Sequence, residues 1–363
     1  MRCLPLIVLL LLASCAAPPA PADSTPPPNP PTPRVDRSEE TDYDLSTITG
    51  HLATADELAA AGKRAAAAFA LSGARKQLGD DRPRERLYVD LRIAEILGAA
   101  GPNLGEARNE SRALELIRQV RLEAANDARL IADASISSAI ISLGANDFAA
   151  GEAAFIDGLA RLEAIAAWQR AVDAARMATR AFLKCGQNSR AWQFAKRALA
   201  TAQSVDKPAT QCLAALDCAM LAFRDGDKAS GADYLNGAYE SALKTKKRRF
   251  AAAVIARAVL EFSRIENFKE AARWGAALRQ GETWPEQGES GLGPFDYART
   301  TGLYALALAA IEEPQSTVRP ALQRGMEACE GVLALEELDE IQREELAGLA
   351  KKVKSSLLKS GGD

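Results

Sequence analysis

The chain has 363 residues, 48% of them hydrophobic and 6% aromatic, with 45 Lys and Arg set against 48 Asp and Glu. That is enough apolar material for a sizeable core, and the heavy use of Ala with few aromatics favours helix over sheet. A net charge of −3 offers no basic surplus for a nucleic-acid partner.

The first residues, MRCLPLIVLLLLASCAAP, place Arg2 before an apolar run from Leu4 to Leu12 and then small residues. This is the layout of an export signal, and the run is about half the roughly 20 residues that a spanning helix needs. Leu12-Ala13-Ser14-Cys15 resembles the bacterial lipobox. The resemblance implies cleavage after residue 14, a lipid on Cys15, and a mature chain held to the bacterial membrane through that lipid. Ala16 after Cys15 points to the outer membrane, on its periplasmic side, if the host is diderm. The alternative is an ordinary cut a few residues later, with no lipid.

From Ala16 to Thr41 the chain holds nine of its seventeen prolines. Residues 15–41 therefore read as a lipidated Cys followed by a Pro-rich tether without helix or sheet. At about 3.1 Å per residue it reaches up to about 80 Å.

Beyond residue 42 apolar positions recur at three and four residues, so residues 42–334 are expected to be all α. Helices of about 15 to 20 residues are broken at LGDDRP, AGPN, LGAND, CGQN, SVDKP, RDGD and KTKKRR. A repeat of 40 residues runs through them. In its register the second helix of each pair carries Gly151 and Gly158, Ala191 and Ala198, Gly231 and Ala238, then Ala271 and Leu278. Thirteen residues before the first of each pair stand Ser138, Ala178, Cys218 and Ala258. Small residues on both helices let two backbones approach, and a step of seven keeps them on one face. Ala94, Ala107 and Leu114 extend the register upstream, and Ala321 and Ala328 extend it downstream.

This pattern resembles the tetratricopeptide-repeat family over roughly residues 90 to 330, although the period is 40, the aromatic positions are irregular and no Pro closes each unit. The resemblance implies a right-handed α-solenoid of antiparallel helix hairpins that binds other proteins. Bacterial lipoproteins with such repeats commonly serve assembly machines, which would make this chain an interaction scaffold with an envelope protein as partner.

In that family the first helices line the concave surface. Val172, Thr179 and Phe182, then Cys212, then Ile255, Val259 and Phe262 are expected there, with alanines between them. They form either an apolar groove for a partner's hydrophobic segment or an interior that fills itself. Helix 208–223 carries almost no charge except Asp217 and should be buried nearly all round. The basic run KTKKRR (244–249) falls at a turn between hairpins, where a solvated loop, anionic head groups or an acidic partner are its options.

The segment 280–294 interrupts the repeat with a long loop. Its Trp284 is a candidate anchor for a partner. Glu289-Ser290 superficially resembles the Glu-Ser of lytic transglycosylases, which keeps a cell-wall enzyme, or a regulator of one, as the alternative function. Too little chain follows for a lysozyme-like domain, and an exposed Gly-rich loop does not raise the pKa of a general acid. No Gly-rich phosphate loop, Ser/His/Asp set or metal-ligand cluster appears, and His51 is the only histidine. No enzyme activity, cofactor or metal is expected. Cys185, Cys212, Cys218 and Cys329 read as small buried hydrophobes. Residues 335–363 close the array, with Leu335, Leu338, Ile341, Leu346, Leu349, Val353 and Leu357 as the apolar stripe of a capping helix.

Overall fold

Seventeen-residue helices separated by three-residue turns build the middle of the chain. The computed structural model describes residues 43–98, 109–280, 292–311, 313–335 and 338–360. Among them are fifteen α-helices and no strand. A short 3₁₀ turn at Ser46–Ile48 leads into α1 (Thr49–Ala60), α2 (Arg64–Gln77), α3 (Pro83–Gly98) and α4 (Glu110–Glu123). The regular section follows with α5 (Ala128–Gly144), α6 (Phe148–Ala164), α7 (Trp168–Lys184), α8 (Asn188–Ser204), α9 (Pro208–Arg224), α10 (Lys228–Lys244) and α11 (Arg248–Arg264). Then come α12 (Phe268–Gln280), α13 (Pro294–Ala310), α14 (Gln315–Leu333) and α15 (Glu340–Lys359). None of the described helices is long and apolar enough to cross a membrane.

Each helix packs against the next, and every odd-numbered helix from α3 to α13 also touches the following odd one. The fold is an α-solenoid of antiparallel hairpins whose odd helices form the inner layer. Four apolar clusters succeed one another along the stack.

The 40-residue period of the sequence resolves into a helical unit of 20. Helices α5 to α12 begin at residues 128, 148, 168, 188, 208, 228, 248 and 268. Asn146, Ala166, Gly186, Asp206, Gly226, Lys246 and Glu266 all sit at positive φ, between 47° and 83°. Such a residue ends a helix by turning left-handed, and the N–H that follows it closes on a carbonyl five residues back. Asp147 donates to Ser142 at 2.9 Å, Ala167 to Leu162 at 2.8 Å, and Gln187 to Phe182 at 2.9 Å. The same residue then opens the next helix: the Asp147 and Asp227 carboxylates accept from the N–H groups of Ala150 and Ser230.

Only two of these seven left-handed positions are glycine. For Ala166 the conformation costs roughly 1 kcal/mol through its Cβ, and that methyl is exposed, so it returns no packing. Ala166→Gly is therefore expected to stabilise the fold by about 0.5–1 kcal/mol, read as a higher midpoint in urea unfolding. An unchanged or lower midpoint would show that the turn carries no such strain.

The small-residue register sets how closely the hairpins pack. A Cβ added at Gly158 would lie 2.9 Å from Ile136 Cγ1 and 3.1 Å from the Ala132 carbonyl oxygen; at Gly231 it would meet the Phe223 ring at 2.8 Å. Ala191, Ala198, Ala238 and Ala271 are fully buried, as are Ala178, Cys218 and Ala258 on the partner helices. Downstream, Ala321 and Ala328 are buried too. Upstream the register needs a correction. Leu114 is 44% exposed, and its neighbour Ala113 takes the buried place against α3 and α5. The Leu278 side chain and Ala107 lie outside the described residues.

The capping helix also differs from expectation. It starts at Glu340, where Asp339 and Gln342 form a capping box, five residues later than the apolar stripe suggests. Leu346, Leu349 and Val353 are buried against α13 and α14, while Leu335 and Ile341 are 41% and 78% exposed. A helix covered on one side only can bury about one apolar residue per turn.

Candidate binding surface

The seven side chains expected along the inner helices are all in the core. Val172, Thr179, Phe182, Cys212 and Val259 have no exposed surface, Ile255 has 1% and Phe262 3%. They do not line an open groove. Phe182 stacks on Phe194 at 5.4 Å, and Phe155 completes the trio. Phe262 packs edge-on against Phe223 at 5.2 Å. The Thr179 hydroxyl donates to the Ala175 carbonyl inside its own helix. The reason is the same close approach that the small residues allow. With alanines between them, successive odd helices touch directly and the phenyl rings fill what space remains.

The exposed side of the odd helices is instead polar, and its contacts run from one odd helix to the next. On α3 and α5 the Ser137 hydroxyl donates to Glu95, 2.7 Å away. Arg170 of α7 donates to Asp133 of α5 at 3.1 Å, and Arg129 pairs with the same carboxylate. Between α7 and α9, Arg176 donates to Asp217 at 2.6 Å, Arg180 pairs with its other oxygen, and Thr210 donates to Gln169. On α11, Arg257 and Arg264 bracket the buried Glu261. The contacts of Ser137, Arg170, Arg176, Arg180 and Thr210 span 37 to 42 residues and run from repeat to repeat, whereas those of Arg129, Arg257 and Arg264 stay within one helix.

The N-terminal end of this face is closed by the chain itself. Tyr43 stacks on Tyr88 at 4.5 Å, lies beneath the Arg84 guanidinium at 5.0 Å, and donates its hydroxyl to Asp133 at 2.9 Å. Burial, reinforced by the charge of Asp133, pushes its phenol far above the usual range. Burial also raises Tyr88. Sequence periodicity carries no signal for Tyr43, because its partner Asp133 is 90 residues away.

α7 and α9 also carry half-buried apolar side chains, Met177, Leu213 and Met220, on the two helices that Arg176, Arg180 and Asp217 join. Leu213 and Met220 lie four before and three after Asp217, so they flank it on one side of α9.

A separate cleft of about 550 Å³ opens between α2, α3 and α4. Its apolar walls include Leu87, Ile93, Leu116 and Val120, and the Arg75–Asp90 ion pair (2.8 Å) belongs to its lining. Burial raises the Asp90 carboxyl despite that pair. Burial likewise pushes the Cys212 and Cys218 thiols up to about 12 and Cys329 to about 11, so they stay protonated and structural. Cys185 is half-buried, and all four are free thiols. Among the described residues no group of three or more His, Cys, Asp or Glu is placed to hold a metal ion. Cys15, Trp284 and Glu289 lie outside the described residues. No protein-family model matches the chain, and no curated protein matches it either.

Proposed function

We propose that this chain is a lipid-anchored protein of the bacterial cell envelope whose helical repeats act as a protein–protein interaction scaffold. The lipid sits on Cys15, after a signal peptide ending at residue 14, and residues 15–41 tether the repeat domain to the membrane. In a diderm host that membrane is the outer one, on its periplasmic side. The repeats are of the tetratricopeptide-like kind, which the small-residue hairpins support. The chain is a binding protein and not an enzyme. It uses no cofactor and does not take nucleic acid; its partner is another envelope protein.

One observation carries the reading of the repeats: α7 and α9, linked by Arg180 and Asp217, both carry half-buried apolar side chains, Met177, Leu213 and Met220. Met177→Glu combined with Met220→Glu changes only half-buried side chains of these helices. In-cell crosslinking with mass spectrometry is expected to recover one defined partner with the unaltered chain and to lose that partner with the double variant, at an unchanged melting temperature. Recovery of the same partner by both would remove these side chains from the interface. The anchor has its own test. Cys15→Ala is expected to move the chain from the membrane to the soluble fraction, and a variant that fractionates as before would refute lipidation.

A further inference from the structure

The turns of a hairpin stack alternate between two edges, and one turn here, 244–249, is densely basic. One edge is marked by the point where the described chain begins. The Arg82 guanidinium donates to the Asp44 carbonyl and to Thr47, and Gln77 donates to the Thr47 carbonyl, so the segment 44–47 meets the turn between α2 and α3. Arg84, stacked over Tyr43, pairs with Asp127 at the turn between α4 and α5. Antiparallel packing then places the turns 165–167, 205–207 and 245–247 on this same edge. The opposite edge holds the turns 145–147, 185–187, 225–227 and 265–267.

The opposite turns carry Asp147, Asp225, Asp227 and Glu266, with Lys184, Arg224, Lys228, Arg264 and Lys269 spread over the helix ends beside them. The near edge carries Asp80, Asp81, Asp127 and Asp206 along with Lys207, and its basic charge is concentrated at one turn, in the cluster Lys244, Lys246, Lys247, Arg248 and Arg249, all exposed. Two apolar side chains stand among them. Leu243 is 56% exposed, and Phe250 lies half-buried beneath the Arg249 guanidinium at 5.1 Å. Basic side chains with an exposed leucine and a ring at one rim form the pattern of a surface that sits on anionic head groups.

We infer that this basic turn docks on an anionic phospholipid bilayer, as a second and reversible attachment beside the lipid on Cys15. The occupant is argued from charge complementarity and from where the preceding chain joins the fold. The described fold begins at Tyr43, at the edge that carries the cluster. A lipid and a polybasic patch are two separate attachments, and each Lys or Arg near an anionic surface adds severalfold to binding. The tether also confines the patch near the bilayer, so a weak intrinsic affinity suffices to keep it docked.

This inference rests on the lipid-anchor reading for its biological setting, but its test does not use the lipid. The full chain carrying Cys15→Ala, which cannot be acylated, is sedimented with vesicles of phosphatidylglycerol mixed into phosphatidylcholine, and with phosphatidylcholine alone. It is expected to bind the anionic vesicles only and to be released by salt. Adding Lys244→Glu, Lys247→Glu and Arg249→Glu, all at exposed positions, is expected to weaken that binding by about a hundredfold or more, with helicity and melting retained. Equal sedimentation with both vesicle types, or binding unaffected by the three charge reversals, would overturn the inference. So would a chain that ignores vesicles while the reversals abolish an in-cell crosslink, which would assign the edge to an acidic protein. If the triple variant misfolds, salt release of the unreversed chain from anionic vesicles still decides. Failure of lipidation appears separately, in the fractionation of Cys15→Ala.

Discussion

Phe182→Asp is expected to unfold the central hairpins and leave no folded scaffold on which binding can be measured. Phe182 has no exposed surface and sits in a three-ring cluster with Phe155 and Phe194, so it joins helices α6, α7 and α8. Truncation of such a ring to alanine costs about 3–5 kcal/mol, and a carboxylate left in the same place adds the cost of an unpaired buried charge. In a linear array the damage concentrates at one interface, because each hairpin depends on its neighbours. Circular dichroism should therefore show a large loss of helix or an early melting step that the unaltered chain lacks. A variant that keeps native helicity and melting would put Phe182 on an open surface and restore the groove. Met177→Glu is the control, since it alters the same helix five residues earlier at a half-buried position.

Asp217→Ala is the second change with a large expected effect, about 3–5 kcal/mol of destabilisation. The Asp217 side chain is 7% exposed and that of Arg176 is 11% exposed, and they meet at 2.6 Å between α7 and α9. Removing the acid strands a guanidinium whose side chain is only 11% exposed. Replacing both partners removes that penalty, so Arg176→Met with Asp217→Leu is expected to recover most of the loss. The outer partner Arg180 is 56% exposed and should contribute no more than about 1 kcal/mol. Urea midpoints for the two single variants and the pair make a double-mutant cycle. A single variant within about 0.5 kcal/mol of the unaltered chain would show that water reaches the pair.

Asp217 also shows how far residue patterns reach. As the one charge in an apolar helix it stands out along the chain, yet nothing local singles out Arg176, 41 positions earlier, from the other arginines. The 20-residue unit was hidden for a different reason. A left-handed helix end needs a backbone conformation and not a residue type, and Asn, Ala, Gly, Asp, Lys and Glu all supply it here. The shift from Leu114 to Ala113 follows from losing register across residues inserted between α3 and α4.

Local physics made the rest legible. Helix formation depends on spacing of three and four residues, and hairpin closeness depends on small residues seven apart, so an all-helical stack could be read from Gly151, Gly158, Ala191, Ala198 and their partners. What those residues could not say is which side of an odd helix faces water. Helices this rich in alanine are apolar nearly all round, as α5 and α9 are, and an apolar pattern without a polar side selects no face. The tertiary structure made that choice: close contact between successive odd helices turned Phe182, Ile255 and Phe262 inward, left Arg180 exposed and kept Met177 and Met220 half-buried. It also brought Tyr43 onto Asp133 and gathered the basic turn on the edge where the chain enters the fold, pairings that arise only when distant segments meet.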